Sequence, residues 1–128
     1  MRSDVTDQGD VLKERTKRFA LDVVALLMAL PNTEPAITIK RQVVKAATSV
    51  AANYRAARRA RSHAEFTARI GVVAEEADET LFWLNFVADA QLTTSADLSR
   101  LQREAGELTA IFSACVGTAR RKSRINQR

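Results

Sequence analysis

The chain has 128 residues, of which 46% are hydrophobic, with four glycines, two prolines and one cysteine. This length fits one domain with a core of its own, and the scarcity of turn-forming and aromatic residues argues against a β-sandwich or barrel. A lone cysteine excludes an intramolecular disulfide, and no apolar run approaches the roughly 20 residues that span a bilayer. The composition favours helices, so we expect an all-α fold. The chain opens without a secretory signal, so we expect a cytoplasmic protein that does not contact a membrane.

The first predicted helix covers about residues 11–30. Its apolar residues recur at the spacing of one buried helical face. They are Leu12, Phe19, Val23, Leu26 and Leu30. Asp10 is the predicted N-cap, and Pro31 ends the helix because a proline disfavours the α conformation in the residue before it.

The second predicted helix, about residues 36–60, carries the strongest charge pattern in the chain. From Ala36 to Ser62 there are seven Lys and Arg residues and no Asp or Glu. One narrow arc is apolar and holds Ile39, Val43, Ala46, Val50 and Ala57. The opposite arc, about 27 Å long at 1.5 Å per residue, holds Arg41, Lys45, Thr48, Ala52, Arg55 and Arg59. We call its four cations the basic stripe. Asn53, at the edge of the apolar arc, is interpreted as fixing helix register through a buried hydrogen bond, the alternative being a cap on a neighbour at a subunit contact.

The third predicted helix, about residues 63–90, begins at a capping box formed by Ser62 and Glu65. Its outer face starts acidic and then becomes apolar. An exposed group of aromatic side chains is an aggregation hazard unless a partner covers it, so this pattern indicates a subunit interface. The predicted interface residues are Glu75, Glu79, Phe82, Trp83 and Phe86.

The fourth predicted helix, about residues 95–120, has the most regular apolar pattern. Steps of three and four residues link Leu98, Leu101, Ala105, Leu108, Phe112, Cys115 and Ala119. This alternation is typical of helices packed at about 20° in a left-handed bundle. With three short links, the prediction is a single up-down-up-down four-helix bundle over residues 1–128, with flexible termini and a tail that frays after residue 120.

Two segments resemble the four-helix-bundle proteins first noticed in intervening sequences of bacterial 23S rRNA genes. Ser49–Phe66 reads S-V-A-A-N-Y-R-A-A-R-R-A-R-S-H-A-E-F, and Val73–Leu84 reads V-A-E-E-A-D-E-T-L-F-W-L. The chain is most similar to the branch with A-N-Y-R-A, R-A-R-S and E-E-A-D-E. Another branch has A-E-G where this chain has Arg55, Ala56 and Ala57, so its second helix is expected to run unbroken.

The resemblance implies a fold, an assembly and a broad role. It implies a four-helix bundle that assembles as a ring, commonly a pentamer, without known enzymatic activity. A similar fold occurs in the accessory protein of diversity-generating retroelements, a positively charged pentamer that works with a reverse transcriptase and nucleic acid. The partners that follow are a second copy of the chain, RNA or DNA, and a nucleic-acid-processing protein.

The clustered positive charge favours a polyanionic partner, since Lys and Arg at helical repeats neutralise several phosphates at once. No aromatic residue interleaves with the cations, so contact is predicted to be to the backbone, independent of sequence and sensitive to salt. The predicted nucleic-acid-binding residues are Arg41, Lys45, Arg55, Arg58, Arg59, Arg61, Arg120, Arg121, Lys122 and Arg124.

Each basic cluster has a second interpretation. The cations of the second helix pair with Glu75, Glu76, Asp78 and Glu79 of the third helix, in the same or a neighbouring subunit. The basic tail is a solubilising end placed favourably at the C-terminus of a helix. On this alternative the protein is an interaction scaffold without a nucleic-acid role.

Enzymatic chemistry has the least support. His63 is the only histidine and has no metal-ligand partners near it in sequence, and Cys115 lies on the apolar seam of the fourth helix. The Glu-x-x-His motif of di-iron bundles, Gly-rich phosphate loops and catalytic triads are all missing. We therefore expect neither an enzyme nor a cofactor or metal.

Overall fold

The computed structural model describes residues 7–126. Four helices follow in order, α1 (Gln8–Met28), α2 (Ala36–Arg58), α3 (His63–Asp89) and α4 (Ala96–Asn126). Each helix packs against the next, and α4 returns to α1, as in an up-down-up-down arrangement. The prediction of an all-α four-helix bundle is confirmed.

The core consists of the helical faces that the apolar periodicity predicts. Side chains from all four helices are sealed from solvent, including Phe19, Val23, Val43, Val50, Ile70, Leu84, Leu101 and Phe112. The Tyr54 and Phe112 rings lie 5.2 Å apart and join α2 to α4 across the centre. Each large buried side chain contributes about 1.5–3 kcal/mol of transfer free energy, so this core fixes how the helices are rotated.

Helix α1 begins three residues earlier than predicted. Asp7 is its N-cap, with a carboxylate oxygen that accepts a hydrogen bond from the Gly9 N–H at 2.9 Å. Asp10 was predicted to be the cap, and that prediction is wrong. Asp10 lies instead in the first turn, where a negative charge is favourable to the helix dipole, and it pairs with Arg58 at 3.2 Å.

Helix α4 continues to Asn126, so the prediction that the tail frays after residue 120 is wrong for the described residues. No proline or glycine follows Gly117, and arginine and lysine are good helix formers. Ser123 also donates a hydrogen bond from Oγ to the Ala119 carbonyl at 3.1 Å. The predicted flexibility of the outermost termini concerns residues 1–6 and 127–128, which lie outside the described residues.

Polar contacts join α1 to α4, which pack less closely than the other neighbouring helices. Arg15 donates to both carboxylate oxygens of Glu104 at 2.7 Å, and this fork raises the pKa of the Arg15 guanidinium. Arg100 donates to Asp22 at 3.3 Å. Bidentate pairs fix geometry as well as charge, so they hold the seam where apolar contact is thin.

The link after α3 contains a strained residue. Gln91 has a φ of 57°, the left-handed conformation that glycine adopts at no steric cost. Its N–H donates to the Ala88 carbonyl at 3.0 Å, and the Leu92 N–H donates to Val87 at 3.1 Å. These two bonds form a Schellman motif, in which the position of Gln91 is usually glycine.

We predict that Gln91→Gly stabilises the protein by up to about 1 kcal/mol, because it removes the left-handed strain. The matched control is Ala90→Gly, one residue earlier, where the backbone is right-handed helical at φ −79°. Glycine there is expected to cost up to about 1 kcal/mol. Urea denaturation measures both changes, and equal effects of the two substitutions would contradict the strain argument.

Candidate nucleic-acid interface

The basic stripe lies on the solvent face of α2. Val43, Ala46 and Val50 are completely buried on the opposite side, which sets the rotation of the helix. All six residues of the predicted outer arc are exposed, namely Arg41, Lys45, Thr48, Ala52, Arg55 and Arg59. Arg61, in the turn after α2, is exposed as well. The amphipathic pattern therefore places its cations in water.

Pairing with the helix-three carboxylates does not occur within one chain. Among the described residues, no cation of the stripe lies within ion-pair distance of Glu75, Glu76, Asp78 or Glu79. The charge of Lys45 acts on the Glu76 carboxyl from beyond that distance and lowers its pKa. Burial nevertheless raises the pKa of Glu76, reinforced by the neighbouring charge of Glu79. The stripe thus keeps most of its positive charge uncompensated.

Arg58 differs from the other predicted contact residues. Its guanidinium pairs with Asp7 at 3.5 Å and with Asp10 at 3.2 Å. It also lies so close to α1 that a Cβ added at Gly9 would come within 2.5 Å of it. Arg58 therefore joins the end of α2 to the start of α1 and is not a free cation.

Two cations of helix α1 lie beside the basic stripe, although they are not among the predicted nucleic-acid-binding residues. Lys13 and Lys17 border a groove of about 500 Å³ between α1 and α2, opposite Arg55. Ala51 and Ala52 are among the small residues that line the same groove. Lys13 and Lys17 are four residues apart, and this spacing was the available signal that both lie on one helical face.

The bundle brings the two basic clusters to one end. His63 Nε2 lies 2.9 Å from the Ala119 carbonyl oxygen, so the start of α3 and the last part of α4 are neighbours. The antiparallel connection places the end of α2 there too, because only four residues separate it from α3. We call this end the basic end; its exposed cations are Lys13, Lys17, Arg55, Arg59, Arg61, Arg120, Arg121, Lys122 and Arg124.

The predicted interface residues lie on the outer face of α3, toward the other end of the bundle. Phe82, Trp83 and Phe86 pack on one another, with ring centroids 5.0 to 6.2 Å apart. Phe82 is 56% exposed and Phe86 41% exposed. Glu79 and Glu75 are exposed on the same face, about one and two turns before Phe82 respectively. We call the three rings the aromatic cluster.

Cys115 and Asn53 lie in surroundings that indicate a role in packing and not in chemistry. Burial raises the pKa of the Cys115 thiol, which makes it a poor nucleophile. Asn53 donates to the Ser49 carbonyl of its own helix at 2.9 Å, and only a 3.4 Å contact from Arg69 crosses to α3. The cross-helix hydrogen bond of Asn53 is thus exposed, and the prediction of a buried hydrogen bond at this position is wrong.

The described residues 7–126 contain no group of three or more His, Cys, Asp or Glu residues placed to hold a metal ion. Within the same residues, no helix combines the length and the apolar character needed to cross a bilayer.

Comparison with known proteins agrees with the resemblance. The chain is similar to a solved structure described as a protein of unknown function from the S23 ribosomal protein family of Bacteroides thetaiotaomicron. The two chains are 24% identical and superimpose with a TM-score of 0.78, over 87% of this chain and 99% of that one, which shows a shared fold. No curated protein matches the chain. Residues 10–114 match the family described as 23S rRNA-intervening sequence protein, and the chain therefore belongs to that family.

Proposed function

We propose that this protein is a non-enzymatic, homo-oligomeric bundle that binds the phosphate backbone of RNA or DNA through its basic end and basic stripe. The observation that carries the proposal is the convergence of two basic clusters, more than 50 residues apart in sequence, on one end of the fold. Among the described residues, Arg58 is the one cation of these clusters that forms an ion pair. Like charges gathered in this way repel one another, and an anionic ligand relieves that repulsion.

The arrangement suits backbone contact better than recognition of bases. The cations are long, exposed side chains spread over three helices, and no aromatic residue lies among those of α2 or the end of α4. Near this surface Tyr54 is buried and the stacked rings of His63 and Phe66 are half-buried, so little ring area is open to unpaired bases. Binding through phosphates alone gives affinity without sequence preference, and released counterions supply much of its free energy.

An accessory role is consistent with this chemistry. A surface that holds nucleic acid without reading its sequence can present it to a second, nucleic-acid-processing protein. The family resemblance supports this part of the proposal.

Charge reversal at the basic end is expected to weaken binding. Arg55→Glu combined with Arg59→Glu changes two exposed side chains that have no ion-pair partner among the described residues. We expect the dissociation constant for a fluorescent 20-nucleotide RNA or DNA to rise about tenfold or more at low salt, because phosphate contacts become repulsions. Fluorescence anisotropy measures the change, and circular dichroism checks that the helices persist.

The matched control has the same change in net charge at another place. Arg18→Glu with Arg103→Glu alters two exposed arginines at the α1–α4 seam, away from the basic stripe. This variant is expected to bind within about twofold of the wild type. Equal losses in both variants would mean that only net charge matters, and wild-type protein that fails to bind at low salt would refute the proposed function.

The salt dependence gives an independent prediction. The logarithm of the association constant should fall linearly with the logarithm of salt concentration, with a slope of about −0.9 per phosphate neutralised on duplex DNA. For the Arg55→Glu, Arg59→Glu variant we expect a slope shallower by about two, because two cations no longer displace counterions. An unchanged slope would show that these arginines do not touch phosphates.

A further inference from the structure

An apolar groove lies between α1 and α2, toward the end opposite the basic end. Its volume is about 270 Å³, and its apolar lining includes Val24, Met28, Ile37 and Val44. Met28 is 81% exposed, an unusual state for a large apolar side chain. Lys40 and Arg41 border the groove. We call it the Met28 groove.

One hydrogen bond and one electrostatic interaction show the height of α3 relative to α2. Arg69 donates to Asn53 across the two helices, and Lys45 lies close enough to Glu76 to act on its pKa. The helices are antiparallel, so each residue further along α3 corresponds to one residue earlier on α2.

This register puts the aromatic cluster and the Met28 groove at the same height along the bundle. Phe82 lies at about the height of Lys40, which borders the groove. Glu79 lies between the heights of Arg41 and Lys45. A second copy, related to the first by rotation about an axis parallel to the helices, can therefore place its Met28 groove against the aromatic cluster of the first. Neither copy has to shift along the helix direction.

The two surfaces are also complementary in charge. Beside the aromatic cluster, Glu75 and Glu79 are exposed and make no ion pair among the described residues. Beside the Met28 groove, Arg41 and Lys45 are exposed and likewise unpaired there. Facing charges of opposite sign at the rim of an apolar contact select one orientation.

We infer that the aromatic cluster of one copy docks in the Met28 groove of a second copy, with Glu75 and Glu79 facing Arg41 and Lys45. This inference deepens the proposed function and rests on its homo-oligomeric part. The two surfaces lie on different sides of the bundle, since α1 and α3 are diagonal and not adjacent helices. The contact is therefore head-to-tail, and successive copies close into a ring or continue as a filament.

In this assembly the two halves of the basic stripe have different roles. Arg41 and Lys45, in the half near the Met28 groove, meet carboxylates of the neighbouring copy. Arg55 and Arg59, in the other half, stay exposed at the basic end. Both interpretations of the stripe thus hold, each for one half of α2.

Sedimentation velocity on single and mixed variants of the full chain tests this contact. The wild type is expected at a multiple of its 14.1 kDa monomer mass. Phe86→Arg and Met28→Arg should each be monomeric, because a charge enters the apolar contact from either side. An equimolar mixture should form a species of twice the monomer mass, since each variant keeps the one surface that the other lacks. Val11→Arg, an exposed residue outside the groove, is the matched control and should keep the wild-type mass.

Several outcomes would overturn the inference. These are a monomeric wild type at high concentration, a Met28→Arg variant of unchanged mass, or a mixture that stays monomeric although circular dichroism shows both variants folded. An assembly in which the aromatic clusters of two copies contact each other would leave the mass of the Met28→Arg variant unchanged.

A charge swap keeps the test independent of any disturbance of the apolar residues. Glu79→Lys should raise the dissociation constant of the assembly about tenfold, and adding Arg41→Glu in the same chain should recover most of the loss. A swap that weakens assembly further would overturn the charge pairing. Nucleic acid is absent from all these measurements, so loss of the proposed nucleic-acid binding would not alter their outcome.

Discussion

The burial of one face of α2 is the constraint on which the rest of the molecule depends. Val43, Ala46 and Val50 are inaccessible to solvent, and rotating the helix would carry Arg41 or Arg55 toward the core. An uncompensated buried guanidinium costs several kcal/mol, far more than any surface contact returns. The core therefore holds the basic stripe in water, and the surface charge is a consequence of how the apolar residues pack.

The antiparallel connections then distribute charge along the bundle. The end of α2, the start of α3 and the last turns of α4 meet where His63 contacts Ala119, and this meeting collects cations from distant parts of the chain. Within residues 7–126, Asp7 and Asp10 form ion pairs with Arg58 and with no other cation there. A small fold that concentrates like charge at one end gives up some stability through self-repulsion, which is recovered when an anion binds.

The apolar periodicity of the sequence correctly predicted the helices and their buried faces. It did not predict the positions of residues whose contacts are distant in sequence. The apolar steps identified Leu101 and Phe112 as core, because a buried helical face repeats every three to four residues. Nothing local shows that Arg58 pairs with acids near the N-terminus or that Lys13 lies opposite Arg55. The extension of α4 was missed for another reason, since a basic tail without a glycine or proline carries no signal for where a helix stops.

The proposed assembly and the proposed nucleic-acid binding use different surfaces, which lie at different heights along the bundle. Docking at equal height would keep neighbouring copies parallel, so the basic ends of all copies would face the same side of the assembly. In that arrangement each copy would contribute Arg55, Arg59 and the cations of α4 to one continuous positive surface. A nucleic acid that binds one copy is held close to the next, and the effective concentration raises overall affinity without any new contact. Weak, non-specific phosphate contacts on a 14.1 kDa bundle could in this way produce tight binding, provided that the nucleic acid spans neighbouring copies.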